Sequence, residues 1–513
     1  MELIIKNLGP IKGNQQSIDL SKKFFIFLGY NNSGKTYVSQ LIWTIFNQDK
    51  HIKFIKSSFC DGIITEAIKE KFWKDKRIEL TQELIDKILE KFSLFLQKEI
   101  LFVYNKDDYL LGFENILIAF KVNVSDFVKT KSTVVITIRS SRQVKIDGEP
   151  IWDAETCRLQ IIKEPDSLEL NIQFIELFDK IPDDSISLHY SLLEGSVEEK
   201  VSLEEKLSLI LLILQLLLNS RIGFKREIRR FRSSDTFFLP ASRAFFPAFY
   251  TYIYEIERNK GQEIYRLVSE SESVEDIKKK LFRPSYTEPI SKTIEALYDL
   301  NYGHHTLDFY NDRLIELSEI MGGDIILEKV EGIGPIQFSF RFKENKQATD
   351  LPMYLSSSSA NQLTLLYLYF KYWAREKSNF LIIDEPEVNL HPENQIKLLD
   401  LLVNFVNQSD NKVLIATHSP LLADAVNNYL YIDNLRQYYD NEQIKEIIAD
   451  NELQYLYPDT KLSREDLGVY FFTGDEIISY DRGHYGIYFK NFKEATNSLQ
   501  KSARILTDFI YGK

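Results

Sequence analysis

Residues 24–28 of this chain, FFIFL, run without a polar side chain into Gly29-Tyr-Asn-Asn-Ser-Gly34-Lys35-Thr36, and no other feature narrows the possible folds so sharply. An uninterrupted apolar run suits a strand covered on both faces, and the segment Tyr37–Phe46 has helical character. The spacing GxxxxGK[ST] between a strand and a helix is that of a phosphate-binding loop. Its glycines let the main chain wrap closely, so that N–H groups and the helix start face phosphate oxygens. On this reading Gly29, Asn31, Asn32, Ser33 and Gly34 cradle the phosphates of ATP. Lys35 reaches the β- and γ-phosphates, and the Thr36 hydroxyl serves Mg²⁺.

A second block lies most of the chain away. Phe380-Leu-Ile-Ile-Asp384-Glu385 is another apolar run, and it ends in two acids. Asp384 is placed to hold Mg²⁺ through water, and Glu385 to polarise the attacking water. Taken alone the pattern is weak, because apolar strands often end in acids. It gains weight from Ala416-Thr-His418-Ser-Pro420, which closes the next apolar run where a γ-phosphate-sensing histidine belongs. A lone histidine at a strand end is usually structural; beside a phosphate loop and an acid pair, the sensing role is the better reading. Catalysis is therefore assigned to Lys35, Glu385 and His418, and metal binding to Thr36 and Asp384. Strands at 380–383 and 412–416 alternate with helices at 361–376 and 393–406, which predicts a parallel sheet with covered faces. Further strands are expected at 2–6, 15–19, 236–239 and 469–472, a hairpin over 324–342, a long helix pair over 203–232 and a terminal helix near 491–511.

At 513 residues the chain exceeds one growing core, so two or three lobes are expected. Its 63 Lys and Arg against 75 Asp and Glu give a net charge of −12, so any nucleic-acid contact must be a local patch. The one candidate is Arg221, Lys225, Arg226, Arg229, Arg230 and Arg232 at helical spacing; a solvated face, with Glu227 among the charges, is the alternative. Cys60 and Cys157 are the only cysteines, which excludes a disulfide framework or zinc ribbon and fits a reducing compartment. Leu207–Leu218 is the most apolar run, yet as a helix it spans only about 18 Å, short of a bilayer. With no signal-peptide pattern at the start, a cytoplasmic chain without membrane contact is expected.

Three stretches together, GYNNSGKT at 29–36, DEPEVNLHP at 384–392 and ATHSP at 416–420, resemble the ABC-type ATPases of the SMC, RecF and OLD group. The opening IKNLGPIK, the segment FLPASRAFF around Arg243 and the ending GVYFF…HYGIYF look more narrowly like AAA-family ATPases of bacterial antiphage islands. The ATPase subunit of PARIS systems is the nearest likeness, and the Septu ATPase the next. The likeness covers the ATPase core and the C-terminal block, about half the chain. It implies an α/β, ABC-type P-loop ATPase head with a large, mostly helical insertion and a small C-terminal α/β block. The expected divisions are 1–50 and 351–425 for the two ATPase lobes, 51–235 for a helical or mixed insertion, 236–350 for associated helices and a hairpin, and 426–513 for the last block.

ATPases of that group sandwich two ATPs between two heads, each site completed by a signature loop from the other subunit. The matching stretch is Leu355-Ser-Ser-Ser-Ser-Ala-Asn-Gln362, which carries Ser357, Ser358, Ser359 and Gln362 over as nucleotide contacts. Ser359 stands where the family has glycine and Ala360 where it has an acid, which puts fast dimer-dependent hydrolysis in doubt. Serine hydroxyls and free N–H groups at a helix start still suit a γ-phosphate, and a plain serine-rich helix cap is the alternative. Asn389 and His391 fall in the segment that follows Walker B across such an interface. Arg243 falls where relatives carry a glutamine switch; a structural ion pair explains it equally well. The resemblance implies a head-to-head dimer or higher homo-oligomer. It also implies a separately encoded effector, such as a nuclease, and a phage-derived trigger. The tail after His418 shows no clear Glu…Asp-x-Asp set, so no nuclease activity of its own is expected. A RecF-like DNA-binding repair ATPase and a nucleotide-gated scaffold are the competing readings.

Overall fold

The computed structural model describes residues 1–55, 57–65, 77–104, 115–127, 132–146, 149–163, 166–175, 185–189, 236–250, 286–302, 306–329, 335–343, 350–480, 486–489 and 492–511, with single positions at 68, 252, 253, 255 and 259. β1 (Glu2–Lys6) pairs antiparallel with β2 (Ser17–Asp19), and the chain then enters β3 (Phe24–Gly29), every residue of which is buried. Alternate side chains of β3 go to opposite faces. Phe25 and Phe27 share a core with Val38, Leu41 and Ile42 of α1 (Lys35–Phe46). Phe24, Ile26 and Leu28 enter a second core on the other face. A strand with no polar face is what two-sided burial demands.

α2 (Gln48–Ile55) follows, then β4 (Arg77–Glu79) and α3 (Gln82–Val103), whose first turn is capped by the Thr81 hydroxyl accepting from the Leu84 N–H. Buried Lys50 on α2 bridges Glu99 at 2.6 Å and Glu288 at 2.5 Å, tying α2 to α3. β5 (Leu117–Lys121) pairs with β1. β6 (Ser132–Ile146), β7 (Glu149–Lys163), β8 (Glu169–Ile175) and β9 (Ser185–His189) join β4 in a sheet of order β4-β8-β7-β6-β9. The described part of the insertion is thus strand-rich, not mostly helical. In the sequence, strand-like pieces such as Thr133–Ile138 stay short, because Arg139–Lys145 interrupts the apolar pattern with arginine, serine, glutamine and lysine.

The remaining elements are β10 (Thr236–Leu239), α4 (Glu288–Asp299), α5 (Asn311–Met321), the hairpin β11 (Gly323–Lys329) and β12 (Ile336–Phe342), β13 (Leu351–Pro352), α6 (Ser358–Leu368), β14 (Phe380–Asp384), α7 (Pro392–Asn407), β15 (Lys412–Thr417), α8 (Pro420–Leu435), α9 (Asn441–Asp450), β16 (Leu467–Phe472), β17 (Ile477–Ser479) and α10 (Glu494–Tyr511). The central sheet runs β10-β14-β15-β3-β16-β17, parallel throughout except for β17. Residues 426–513, expected as a C-terminal α/β block, supply β16, which lies directly beside β3. Every residue of β16 is buried, and such a strand needs a sheet with both faces covered. The helix pair over 203–232, the apolar run Leu207–Leu218 and the basic stretch Arg221–Arg232 lie outside the described residues. Among the described residues no helix is long and apolar enough to cross a membrane.

His51, on α2, is completely buried, with its Nε2 2.5 Å from the Ile45 carbonyl and its ring edge-on to Phe92. Burial pulls its pKa from 6.5 down to about 4. Below pH 6.5 the unfolded chain takes up a proton that the folded chain refuses. Stability is therefore expected to fall by about 1.4 kcal/mol per pH unit between those values on this account alone. His51→Gln should flatten that part of the acid limb in urea titrations; an unchanged slope would mean that the imidazole protonates inside the fold.

Candidate nucleotide-binding site

Because β14, β15 and β3 are parallel neighbours, the loops leaving their carboxyl ends emerge side by side, where open α/β sheets hold ligands. The loop after β3 is built on two glycines that nothing larger could replace. A Cβ on Gly29 (φ 152°) would lie 2.4 Å from the Phe472 carbonyl oxygen, and one on Gly34 (φ 99°) would press on Ile11 and Pro10. Gly34 is also the N-cap of α1, and no side chain caps that helix. By contrast Ser357, His391 and Ser419 cap α6, α7 and α8 with their own side chains. The first N–H groups of α1 are thus left for an anion. Asn31, Asn32 and Thr36 are exposed, while Ser33 and Lys35 are buried, and the Ser33 hydroxyl has no partner among the described residues. Lys35 spans the loop, donating from Nζ to the carbonyls of Gly29 (3.2 Å) and Tyr30 (2.9 Å). Burial lowers its pKa to about 8, against the opposing pull of Asp384, Glu385 and Glu387.

The Thr36 hydroxyl donates to Asp384 Oδ2 at 2.7 Å, which joins the phosphate loop to the end of β14. Burial raises the Asp384 carboxyl to about 6; Glu385 adds to the rise, while Thr36, Lys35 and Arg243 oppose it. A hydroxyl and a carboxylate brought together beside an uncapped helix start, with a buried ammonium and an unpartnered serine, fit a triphosphate with Mg²⁺. Glu385 turns the chain sharply at φ 50°, its N–H donating to the Ala416 carbonyl at 2.7 Å. That turn brings Glu385 Oε1 to 3.7 Å from His418 Nε2. Burial and then Lys35 lower the pKa of His418, which favours the neutral ring, against the opposing pull of Glu385 and Glu387. Sequence reasoning missed Glu387. Its Oε1 accepts from the Thr417 hydroxyl at 2.7 Å and from the His418 N–H at 2.8 Å. The only signal for it was a third acid two positions beyond Glu385.

The sequence profile of the AAA ATPase domain matches residues 1–423. The chain belongs to the AAA ATPase domain family. None of the curated proteins matches it. Among solved structures this AAA ATPase is similar to the Smc head domain with an extended coiled coil bound to the C-terminal domain of ScpA from Pyrococcus furiosus, at 13% identity over 99% of this chain and 98% of that one, with a TM-score of 0.29. It is also similar to the SmcHead bound to the C-winged helix domain of ScpA (12% identity, 93% and 96% covered, TM-score 0.32). The SMC head domain from Thermotoga maritima is a further such structure (11% identity, 94% and 98% covered, TM-score 0.27). Superpositions this loose carry no argument; the strand order and the site geometry do.

Two residues that the sequence pointed to as nucleotide contacts in this AAA ATPase are placed elsewhere. Arg243 is 1% exposed and spends its guanidinium on main-chain carbonyls. Nε donates to Gln362 O, Nη1 to Pro240 O and Asp384 O, and Nη2 to Glu385 O and Pro386 O, at 2.7–3.3 Å. Among the described residues it forms no ion pair, and its bonds clamp the Walker B turn to α6. Gln362 is equally buried, with Nε2 donating to the Ala241 carbonyl at 3.2 Å, so its side chain is committed inside the fold. Ser357 caps α6, its Oγ accepting from the Ala360 N–H at 3.1 Å and lying 2.9 Å from Ser359 Oγ. Ser357 and Ser358 are exposed, next to Tyr354 and Leu355, which are 69% and 61% exposed. No hydrogen bond among the described residues joins this loop to the phosphate loop of the same chain. His391 caps α7, and Asn389 is exposed with φ 62°.

Proposed function

We propose that this AAA ATPase binds Mg²⁺–ATP in the site built by Gly29–Thr36, Asp384, Glu385 and His418 and hydrolyses it slowly as an ABC/SMC-type head. The observation that carries the reading is the Thr36–Asp384 bond at 2.7 Å, which assembles a metal-binding hydroxyl and carboxylate from opposite ends of the chain. Lys35 holds the β- and γ-phosphates, Glu385 orients and deprotonates the water, and neutral His418 senses the γ-phosphate beside it. Bound Mg²⁺ neutralises charge on the phosphate oxygens. The exposed loop Tyr354–Ser359 serves the nucleotide of a second copy, so two heads close on two ATPs. The family likeness of IKNLGPIK, FLPASRAFF and GVYFF…HYGIYF supports the finer role: an antiphage ATPase of the PARIS type, cytoplasmic, holding a separately encoded nuclease effector until a phage-derived trigger releases it.

Glu385→Gln should lower phosphate release about hundred-fold while ATP still binds, because only the base is lost. The same variant, loaded with ATP and Mg²⁺, should run as a dimer in light scattering. Turnover untouched by this substitution would overturn the assignment of the base. Efficient Mg²⁺-dependent cleavage of DNA or RNA by the purified chain would sink the division of labour with a separate effector. The gene beside this one should encode a nuclease.

A further inference from the structure

Glu387 lies between the Walker B turn and the end of β15, and neither phosphate binding nor water activation calls for an acid there. It is half-buried and lines one small pocket with Gln395, Leu398, Leu399, Ile415 and Leu422. Oε1 takes the two hydrogen bonds from Thr417 and His418, whereas Oε2 is buried with no partner among the described residues. A carboxylate oxygen buried without a partner costs stability that an apolar residue would not, so its placement needs another reason.

The two bonds themselves supply that reason. They hold the main chain of His418 and the hydroxyl just before it. Thr417 Oγ1 in turn accepts from the Ser419 N–H at 2.9 Å, and Ser419 Oγ caps α8 by accepting from the Leu422 N–H at 3.2 Å. On its other side Glu387 is anchored through its own carbonyl, which accepts from the Leu390 N–H at 3.1 Å, and through Arg243, which grips the preceding Pro386 carbonyl at 3.2 Å. One carboxylate oxygen therefore connects a rigid Walker B turn to the strand end that carries the histidine.

We propose that Glu387 is a positioning residue of the nucleotide site, fastening the His418 main chain to the Walker B turn so that the imidazole stays beside Glu385. This rests on the ATPase reading above. In the full-length chain Glu387→Ala lowers kcat about ten-fold or more, since a histidine misplaced by an ångström is a large loss, while Kd for a fluorescent ATP analogue stays within about two-fold. Glu387→Gln recovers most of the turnover, because its amide oxygen accepts the same two bonds. Thr417→Val, which removes one bond and keeps the shape, shows a smaller drop of the same kind and decides the matter if the alanine variant fails to fold. Unchanged kcat in a folded alanine variant, loss of ATP binding in step with turnover, or a glutamine variant as slow as alanine would each overturn the proposal. NMR of the chain carrying labelled histidine separates this from the ATPase reading. The His418 ring signals move in Glu387→Ala and hold in Glu387→Gln, whether or not the wild type hydrolyses ATP. Signals that hold in both variants overturn the positioning role, and a wild type without turnover overturns only the ATPase reading.

Discussion

Alanine at Arg243 is expected to cost about 3–5 kcal/mol and to lower Tm by roughly 3–5 °C, the largest stability loss anticipated for any single change outside the core. The guanidinium is buried, and burial lowers its pKa only to about 10, so it remains charged at neutral pH. Among the described residues it has no carboxylate partner at bonding distance; its five hydrogen bonds there end on the carbonyls of Pro240, Gln362, Asp384, Glu385 and Pro386. Removing it leaves those oxygens, buried at the turn and at α6, to be satisfied by whatever water can enter. The loss falls on the turn that aims Asp384 and Glu385, so ATP binding should weaken even in molecules that stay folded. Lysine at 243 keeps the charge but not the planar fork, and should recover less than half of the loss. Methionine fills the volume and pairs nothing, so it should behave like alanine. Thermal denaturation with ATP titration checks all three; an alanine variant as stable as the parent would show that the carbonyls find other partners at no cost.

How Arg243 reads in the sequence explains what could and could not be foreseen. Lys35, Thr36, Asp384, Glu385 and His418 stand out because phosphate and metal chemistry demands particular side chains at strand ends, and the structure brings all five to one sheet edge. The alternation of apolar strands with helices over 361–416 likewise reflects a sheet buried on both faces. Arg243 and Gln362 have main-chain carbonyls as targets, and a carbonyl leaves no trace in residue identity. Glu387 bonds to Thr417 and His418, partners known only once β14 and β15 are side by side. The long strands β6 and β7 escape notice because their polar residues hide the period of two. β16 joins the sheet through a parallel pairing with β3, a contact between the two ends of the chain that no local pattern announces.

Lys35→Ala should weaken ATP binding by about 100- to 1000-fold, the equivalent of roughly 3–4 kcal/mol from two charge-assisted hydrogen bonds to phosphate. The structure holds the ammonium in place already, across the loop on the carbonyls of Gly29 and Tyr30, so little ordering remains to be done when the triphosphate arrives. Proton linkage gives a second readout. With Lys35 lowered to about 8, about half of the lysines lack their proton at pH 8. Phosphate oxygens restore the ordinary lysine value, so binding at pH 8 should take up about half a proton. Asp384 works in the opposite sense: raised to about 6, it is half protonated at pH 6, and a metal ion needs the carboxylate. Binding of Mg²⁺–ATP at pH 6 should therefore release about half a proton from this group. Affinity is expected to hold steady between about pH 6 and 8 and to decline on either side, from Asp384 below and from Lys35 above. Calorimetry in buffers of different ionisation enthalpy measures both, with the nucleotide's own titration common to parent and variants. The uptake at pH 8 should vanish in Lys35→Ala, and the release at pH 6 should shrink in Asp384→Asn. Uptake that persists without Lys35 would place the missing proton on another group and leave the loop without its cation.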